Sequence, residues 1–497
     1  MSKIAASMLY NLVQCPNRVT LDLFGDFKDR DPISPFVQLL WDRGNAFEKE
    51  VIEGLETPFT DLSGFYGEEK ERLTREAMER GDDLIYSGRI TADDLIGEPD
   101  ILRRHDNSYI AGDIKSGAGE EGANKDTDGK PKKHYAVQLA LYTDILERLG
   151  LSGGRNPFVW DIHCEEVEYN LDAPQGVRNK DSLWDLYENC LEDARAIISK
   201  SELTLPALGA NCKLCHWKTV CTKKLKQQED LTLIPELGRA KRDIMLSNIK
   251  TVSDLAQTDI NNLLKGQKTV FSGIGIDTLR KFQERAKLLI QPDGKPFIKK
   301  KFSLPNAETE LFFDIETDPM RDICYLHGFI ERRSSSERYV SFFAETATPE
   351  DEERAFAQAW EYIQSSRPCV IYYYSPYERT VWRKLQARYS HIATEEQIND
   401  LFSSEQAVDL YNHVVKPCTE WPTNDFSIKT LASYLGFKWR DTDPSGAASI
   451  EWYNRWVETG DETIRQRILE YNEDDCIATR VLLEGIRGLS QFTQSIS

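Results

Sequence analysis

Two acidic residues and a lysine in the first quarter of the chain have the types and spacing of a metal-dependent hydrolytic site. Asp100 follows a Gly-Glu-Pro turn, and Asp113 and Lys115 lie on what we expect to be a strand after the next polar turn. Side chains two apart on a strand share a face, so Asp113 and Lys115 should point together. Carboxylates bind Mg²⁺ or Mn²⁺, and a nearby lysine neutralises charge on a phosphate. The alternative is a surface hairpin with an ordinary ion pair.

A second acidic set lies in the last third of the chain. Asp314 and Glu316 end an apolar run and share one face of a predicted strand. Tyr471 and Asp475, four residues apart, share one face of a helix that we expect to open near Tyr471. Carboxylates that hold two metal ions can clamp the attacking water and the leaving oxygen of a phosphodiester, and the tyrosine can position that water. Each pair alone could also be accidental.

A fourth acid for this second set must come from the middle of the same region. Glu378 follows a predicted strand, turn and helix start in Val370–Glu378, and is the first candidate. Asp409 is the alternative candidate.

Three of the ten cysteines have metal-ligand spacing, Cys212, Cys215 and Cys221 in a C-x2-C-x5-C pattern. A fourth ligand is needed, and Cys15 is a better candidate than His216, which directly follows Cys215. Four thiolates suit either a structural zinc or an iron-sulfur cluster, and the sequence leaves both open at this point.

Charge is unevenly distributed along the chain. The whole chain carries a net charge of -20, but residues 212–301 contain 19 Lys and Arg against 9 Asp and Glu. Local fields rather than net charge govern binding of a polyanion. Gly273 and Gly275 precede a predicted helix that carries Arg280 and Lys281, and glycines at a helix start let backbone N–H groups approach phosphate. The alternatives are a solvated basic surface or a helical spacer.

Length and composition indicate two or three separately folded domains. The chain has 497 residues, 40% of them hydrophobic, and lacks an apolar run of about 18 residues that could span a membrane. The first residues contain no apolar segment typical of a secretory signal, so we expect a cytoplasmic protein without a disulfide framework. The predicted domains comprise residues 1–228, 229–297 and 298–497, and strand and helix signals alternate in the last.

The first region resembles the RecB-like PD-(D/E)xK nucleases with an iron-sulfur cluster. The resemblance depends on the order of the acids, Lys115 and the four cysteines, together with a carboxylate at Glu48 and the pair Gln138 and Tyr142. It implies Asp100 and Asp113 as metal ligands, with the Ile114 carbonyl assisting, and Lys115 as catalytic lysine, and Glu48 is the candidate to substitute for the histidine that many relatives use as a further ligand. It also implies DNA contacts by Gln138 and Tyr142 and a [4Fe-4S] cluster on the cysteines. Many relatives carry a metal-binding histidine on the early helix, where this chain has Asn45 and Phe47.

The last region resembles the DEDDy 3′–5′ exonucleases of the RNase H-like (DnaQ) superfamily. The resemblance implies Asp314, Glu316, Glu378 and Asp475 as metal ligands and Tyr471 as the residue that orients water. Glu378 departs from the aspartate usual in relatives. The basic middle resembles helix-hairpin-helix modules, which bind the DNA backbone without reading sequence.

The sequence therefore predicts an α/β multi-domain protein: a restriction-endonuclease-like core with helical and iron-sulfur elements, a small helix-hairpin-helix module and an RNase H-like mixed-sheet domain. The leading hypothesis is a Mg²⁺- or Mn²⁺-dependent DNA nuclease with two active sites, acting on single strands or ends in repair, defence or adaptation. One domain could instead be a degenerate clamp, or the chain a non-catalytic adaptor for a helicase. No Walker A motif occurs, so a helicase would be a separate partner.

Overall fold

The computed structural model describes residues 3–122, 129–176, 179–201, 203–403, 405–442 and 444–494, with side chains to residue 489. It is a mixed α/β structure of two compact units. The first unit contains Met1–Pro206 and Ala210–Lys224, and the second contains Ala207–Gly209 and Leu225–Ser497. The predicted middle module, residues 229–297, thus lies within the second unit.

The first unit combines short strands with seven helices among its described residues. The helices are α1 (Ala6–Gln14), α2 (Pro16–Phe24), α3 (Pro35–Glu53), α4 (Gly67–Arg80), α5 (Lys133–Arg148), α6 (Leu183–Ile198) and α7 (Lys218–Gln227), the last of which continues three residues past the unit boundary. The strands are β1 (Ile4–Ala5), β2 (Thr60–Asp61), β3 (Leu84–Tyr86), β4 (Ile90–Ala92), β5 (Leu95–Gly97), β6 (Ile101–His105), β7 (Ser108–Ile114), β8 (Glu120–Glu121), β9 (Lys130–Pro131), β10 (Phe158–Trp160) and β11 (Glu166–Glu168).

A six-stranded mixed sheet in the order β11-β10-β7-β6-β3-β2 positions the first acidic pair. Strands β6 and β7 are antiparallel, and Ile101 lies opposite Gly112. The residues just outside this pair, Asp100 and Asp113, therefore face each other at the end of the hairpin. Helix α5 packs on β4, β5 and β7, and ten of its sixteen residues are buried, which makes this end of the hairpin rigid.

The second unit begins with a helical segment that has its own apolar core. Its elements are α8 (Gly238–Met245), α9 (Val252–Gln257), β12 (Leu264–Lys265), β13 (Lys268–Thr269) and α10 (Ile276–Ile290). Two of its basic side chains are buried in ion pairs. Arg242 binds Asp230 at 2.6 Å, and Arg285 binds Glu420 through two nitrogens at 2.8 and 3.2 Å. The second pair fixes α10 to the rest of this unit.

A five-stranded sheet in the order β17-β16-β15-β18-β19 forms the centre of the second unit. Its strands are β15 (Thr309–Asp318), β16 (Ile323–Arg333), β17 (Ser336–Phe343), β18 (Cys369–Tyr373) and β19 (Ala407–Asp409), and β14 (Phe297–Ile298) pairs separately with β20 (Thr419–Glu420). The helices are α11 (Pro349–Ser365), α12 (Tyr377–Arg388), α13 (Glu395–Leu401), α14 (Lys416–Cys418), α15 (Ile428–Tyr434), α16 (Gly446–Thr459) and α17 (Glu462–Gln494).

Strand β15 is the central strand of this sheet, antiparallel to β16 and parallel to β18. Helix α17 packs on β15 and β16 and against α15 and α16, so both elements that carry the second acidic set are in direct contact. The prediction that this helix opens near Tyr471 was wrong. It begins at Glu462, where the Asp461 carboxylate accepts the Thr463 amide at 2.8 Å, so Tyr471 and Asp475 lie well inside it.

Within the described residues, no helix combines the length and the apolar character needed to cross a bilayer.

Candidate active sites

The first acidic pair forms a closely bonded pocket at the end of the β6–β7 hairpin. The amide of Ile114 donates to Asp100 Oδ2 at 2.8 Å, and the Asp100 amide donates to Asp113 Oδ1 at 3.4 Å. Lys115 Nζ lies 2.9 Å from Asp113 Oδ2, so the lysine and the aspartate do point together. Two carboxylates and one ammonium thus meet within a few ångströms of each other.

The single positive charge of Lys115 does not balance the two carboxylates in this pocket. Burial, followed by the negative charge of Asp113, raises the pKa of Asp100 to about 8. The charges of Asp113 and Asp100 raise the pKa of Lys115, although burial opposes them. A divalent cation would relieve the repulsion between the two carboxylates, and oxygen atoms are the donors that Mg²⁺ and Mn²⁺ prefer.

Glu48 on α3 lies near this pocket without completing it. Its Oε1 accepts the Tyr86 hydroxyl at 2.9 Å, and its charge contributes to the raised pKa of Asp100. The same helix approaches the end of β7 at Gly44, where a Cβ would lie 3.8 Å from Ser116 Oγ. Glu48 is therefore within the electrostatic field of Asp100 but bonded to a tyrosine.

Gln138 and Tyr142 share the face of α5 that looks toward the acidic pair. Gln138 Nε2 donates to the Tyr142 hydroxyl at 3.0 Å, and that hydroxyl donates to the Glu98 carbonyl at 3.3 Å. Tyr142 is only 2% exposed, so its ring lies in the core and Gln138 is the member of the pair that reaches solvent. Sequence reasoning missed Tyr135 on this face, whose ring centroid lies 5.8 Å from Lys115 Nζ. The three-residue spacing from Tyr135 to Gln138 was the available signal.

The four predicted cysteines come together although they are distant in sequence. Asn17, two residues after Cys15, donates to Cys221 Sγ at 3.4 Å. Burial, and then the charges of Cys215, Cys15 and Cys212, raise the pKa of Cys221 to about 11. His216, the alternative ligand, is bonded instead to Asp22 at 2.8 Å.

The second acidic set forms a tighter cluster. Asp314, Glu316 and Asp475 bring three carboxylate oxygens within 4.8 Å of one another, and among the described residues no other group of three His, Cys, Asp or Glu does so. Carboxylates converging at this distance are a suitable donor set for Mg²⁺ or Mn²⁺.

Hydrogen bonds hold Asp314 from the side of α17. Asn472 Nδ2 donates to Asp314 Oδ2 at 2.8 Å, and Tyr339 donates to Asn472 Oδ1, also at 2.8 Å. Gly328 lies opposite Asp314 in the sheet, and a Cβ there would be 1.6 Å from Asn472 Oδ1. Any side chain at residue 328 would therefore collide with Asn472, so this position requires glycine. Sequence analysis missed Asn472, although it is adjacent to Tyr471.

Asp475 is held from the other side by two residues that sequence analysis also missed. Trp439 Nε1 donates to Asp475 Oδ1 at 2.6 Å. Lys429 Nζ lies 3.2 and 3.4 Å from the two carboxylate oxygens of Asp475 and donates to the Tyr471 hydroxyl at 3.0 Å. Both residues are more than 35 positions from Asp475 in sequence, so no local spacing could indicate them.

Mutual repulsion and burial dominate the titration of this cluster. Burial, and then the charge of Asp475, raise the pKa of Glu316 to about 8. The same two causes raise the pKa of Asp314 well above its usual value. In the protein without metal, the cluster therefore retains protons at neutral pH, and a bound cation would displace them.

Glu378 lies close to the cluster but outside the group of three. It is 3% exposed, its Oε2 has no hydrogen-bond partner, and its charge contributes to the raised pKa of Asp314. Asp409, the alternative fourth acid, accepts hydrogen bonds at both carboxylate oxygens. Its Oδ1 accepts the amides of Ser375 and Asn412, and its Oδ2 accepts the Asn412 side chain. Of these two candidates, Glu378 alone has an unbonded carboxylate oxygen.

Only some of the residues predicted to bind DNA in the basic helical segment are exposed and outside ion pairs. Gly273 has φ +74°, and a Cβ at Gly273 or Gly275 would meet no atom within 4 Å, so this loop is open. Arg280 is exposed, whereas Lys281 forms an ion pair with Glu236 at 2.9 Å.

Both units match nuclease superfamilies. The model of the PD-(D/E)XK nuclease superfamily matches residues 33–222, and the model of the RNase_H superfamily matches residues 311–486. The first match contains the Asp100–Asp113–Lys115 pocket, and the second contains the cluster of Asp314, Glu316 and Asp475. No curated protein matches the chain.

The chain thus contains a PD-(D/E)XK nuclease superfamily domain and an RNase H superfamily domain. Domains of these nuclease superfamilies support a hydrolytic nuclease, and the superfamilies typically use divalent metal ions. The converging carboxylates of the RNase H-like domain agree with that chemistry.

Proposed function

We propose that this protein is a Mg²⁺- or Mn²⁺-dependent deoxyribonuclease with two active sites that hydrolyses phosphodiesters at DNA ends or in single strands. The observation that carries the proposal is the group of three carboxylates, Asp314, Glu316 and Asp475, beside the Tyr471 hydroxyl in the RNase H-like domain. The PD-(D/E)XK match, with its own paired carboxylates and lysine, supports a second hydrolytic centre in the same chain.

In the RNase H-like domain, Asp314, Glu316 and Asp475 would hold the metal ions, with Glu378 as a fourth acid. The bound ions would supply Lewis-acid stabilisation of the attacking and leaving oxygens. Asn472 keeps Asp314 in position, and Tyr471 orients the attacking water. This assignment gives 3′–5′ exonuclease activity, with release of nucleotides from a 3′ end.

In the PD-(D/E)XK domain, Asp100 and Asp113 would hold the metal ion, with the Ile114 carbonyl and Glu48 as further oxygen donors. Lys115 would neutralise the charge that develops on the phosphate during attack by water. The ion pair between Lys115 and Asp113 supports this role because it keeps the ammonium beside the carboxylates. The metal differs from the ammonium in that it can bind several of these oxygens at once.

The four cysteines, Cys15, Cys212, Cys215 and Cys221, are proposed to bind a [4Fe-4S] cluster. The Asn17 hydrogen bond to Cys221 and the mutual charge effects of the four thiols support one shared metal centre, and the resemblance to the iron-sulfur nucleases favours a cluster. Zinc is the alternative.

DNA contacts are proposed on two surfaces, each within its own unit. In the first unit, Gln138 would contact the DNA strand. Tyr142 would position Gln138 through the hydrogen bond that its hydroxyl accepts from the Gln138 amide. In the second, the helix-hairpin-helix-like segment would bind the backbone through the open loop at Gly273 and Gly275 and through Arg280, with Lys281 released from its ion pair.

The experiment compares Lys115→Ala and Asp475→Asn with wild type on 5′-labelled and 3′-labelled single strands in Mg²⁺ and in Mn²⁺. The proposal expects each variant to lose one of two product patterns and keep the other. Lys438→Ala, which replaces an exposed lysine, is the control and should cut normally. Normal products from both active-site variants would contradict the proposal.

One observation favours a second candidate function. Glu378 does not join the group of three carboxylates, and its longer side chain replaces the aspartate usual in relatives. The RNase H-like domain could accordingly bind a 3′ end without cutting it. In that case Asp475→Asn would leave cleavage unchanged, and Lys115→Ala would abolish it entirely. A non-catalytic adaptor for a separate helicase would bind DNA and leave every strand intact.

A further inference from the structure

We infer that Lys429 is a catalytic residue of the RNase H-like site, where its ammonium binds the scissile phosphodiester and neutralises the charge that develops during hydrolysis. This inference rests on the proposed function and names a residue that neither sequence spacing nor family matching assigned. The starting observation is that Lys429 Nζ lies within hydrogen-bond distance of both Tyr471 and Asp475.

The surroundings of Lys429 hold a cation at a defined point. Its Nζ lies 4.6 Å from the ring centroid of Tyr471 and 4.9 Å from that of Trp439, so two aromatic faces attract the ammonium. Trp439 also donates to Asp475, which fixes the indole relative to the carboxylate. On the opposite side, Leu431 is fully buried and anchors helix α15, from which Lys429 extends.

Exposure and flexibility allow this ammonium to reach a substrate. The Lys429 side chain is 32% exposed, whereas that of Asp475 is 11% exposed. A lysine has a flexible four-carbon stem and three donor hydrogens, so it can keep one bond to Tyr471 while another donor turns to a new acceptor. A DNA strand entering the acidic cluster would present such an acceptor, a non-bridging phosphate oxygen.

The charge balance of the cluster explains why a cation is needed there. Three carboxylates converge beside Lys429, and the phosphodiester of the proposed reaction is itself an anion whose oxygens gain negative charge in the transition state. In the hydrolysis of the phosphodiester, the water oxygen forms a bond to phosphorus. The bond from phosphorus to the 3′ oxygen of the preceding nucleotide breaks. The proton of the water passes to a carboxylate of the cluster, and the 3′ oxygen takes a proton from solvent. Lys429 exchanges no proton in this step.

The bond from Lys429 also determines how Tyr471 acts. A tyrosine hydroxyl has one hydrogen to donate and accepts through its oxygen. Because Lys429 Nζ donates to that oxygen, the hydroxyl hydrogen is directed to Asp475, whose carboxylate is the other hydrogen-bond partner of Tyr471. Lys429 therefore contacts the substrate and, in addition, positions the residue proposed to orient the nucleophile.

The test measures release of nucleotides from a 5′-labelled single strand by full-length Lys429→Ala, Lys429→Arg and the matched control Lys438→Ala, each made together with Lys115→Ala so that only the RNase H-like site can cut, as is Asp475→Asn. We expect Lys429→Ala to lower kcat about 100-fold with a change in KM of less than about threefold, the size expected for loss of one transition-state donor. Added ethylamine should restore at least about a tenth of the lost rate to Lys429→Ala, and Lys429→Arg should retain more activity than Lys429→Ala. Lys438→Ala should behave as Lys115→Ala alone.

Binding of the same oligonucleotide in EDTA, followed by fluorescence anisotropy, gives a second readout without metal or turnover. Lys429→Ala should bind about two- to threefold more weakly than Lys438→Ala, within the change expected for KM. Unchanged kcat in Lys429→Ala, with Asp475→Asn inactive, would overturn this inference and leave the proposed function standing. A slow Lys429→Ala that neither ethylamine nor arginine rescues would assign Lys429 a structural role and also overturn it. Full activity of Asp475→Asn would instead overturn the proposed function, and this inference with it.

Discussion

Asn472 on the long C-terminal helix donates from its Nδ2 to Asp314 Oδ2 on the central strand at 2.8 Å, across 158 residues of sequence. Asn472 is fully buried, and its own oxygen is held by Tyr339. The Asn472 side-chain amide thus fixes the Asp314 carboxylate, one of the proposed metal ligands, before any ion binds. Outer hydrogen bonds of this kind orient metal ligands and set metal affinity.

Replacing Asn472 should therefore weaken metal binding rather than unfold the domain. Asn472→Ala removes the donor to Asp314 and should lower Mn²⁺ affinity about 10–100-fold, the usual cost of losing such a partner. Isothermal titration of Mn²⁺ into an Asp113→Asn background, where the PD-(D/E)XK site is disabled, measures the remaining site. Tyr339→Phe removes a bond to Asn472 but leaves the bond to Asp314, and should have a much smaller effect. Equal affinities for the two variants would contradict this account.

The acidic cluster should make stability depend on pH in the direction opposite to that of ordinary carboxylates. The folded protein holds the pKa of Glu316 at about 8, above the value of about 4.3 for an unfolded chain. The folded state therefore retains a proton that the unfolded state has lost. The resulting contribution to stability is complete below about pH 4 and is lost as the pH rises through about 8.

In EDTA, this contribution to the melting temperature should fall between about pH 6 and pH 8.5, and added Mn²⁺ should raise the melting temperature more at the higher pH. Differential scanning fluorimetry measures both effects. Asp475→Asn provides the comparison, because it removes a proposed metal ligand and also the negative charge that helps to raise the pKa of Glu316. A Mn²⁺ shift in wild type that is the same at both pH values would show that protons and metal do not compete at this cluster.

The cysteine group predicts a cofactor that can be seen directly. Anaerobically purified protein should be brown, with broad absorbance near about 400 nm and matching iron and sulfide contents. Cys221→Ser should lose the absorbance and the iron, whereas Cys164→Ser, which alters an exposed cysteine, should keep both. One equivalent of zinc with no iron in the wild-type protein would reverse the assignment.

Arg280 and Arg285 lie five residues apart on helix α10 and should respond in opposite ways to substitution. Arg285 is 1% exposed and pairs with Glu420, which is fully buried. Arg285→Met leaves that carboxylate with Lys299 alone and should cost about 3–5 kcal/mol of unfolding free energy. Arg280→Met should leave the melting temperature unchanged and weaken DNA binding, with a lower salt dependence. Thermal melting and anisotropy separate the two effects, and equal melting temperatures would contradict the assignment for Arg285.

Local spacing predicted those parts of the two sites that lie on single strands and hairpins. Asp113 and Lys115, two apart on one strand, do share a face, because strand periodicity determines side-chain direction regardless of the rest of the chain. The predicted strand and helix start around Glu378 are confirmed by β18 and α12. The helix carrying Tyr471 was placed correctly, but its start was missed.

What sequence analysis could not provide were contacts made only by tertiary packing. Lys429 reaches Asp475 across 46 residues, and Arg285 reaches Glu420 across 135. Nothing in the sequence around a basic residue on an amphipathic helix indicates a buried acidic partner, so the ion pair of Arg285 could not be predicted. The involvement of Tyr142 in a core hydrogen bond to Glu98 was hidden for the same reason.

The central claim is that two separate sets of carboxylates cut DNA, and the double variant Lys115→Ala/Asp475→Asn tests it most directly. Wild type, both single variants and the double variant would be incubated with a 5′-labelled single strand in Mn²⁺, and the products would be resolved by length. We expect each single variant to retain the cuts made by its intact site, and the double variant to bind the strand and leave it whole. Cleavage by the double variant at the wild-type rate would contradict the assignment of both sites.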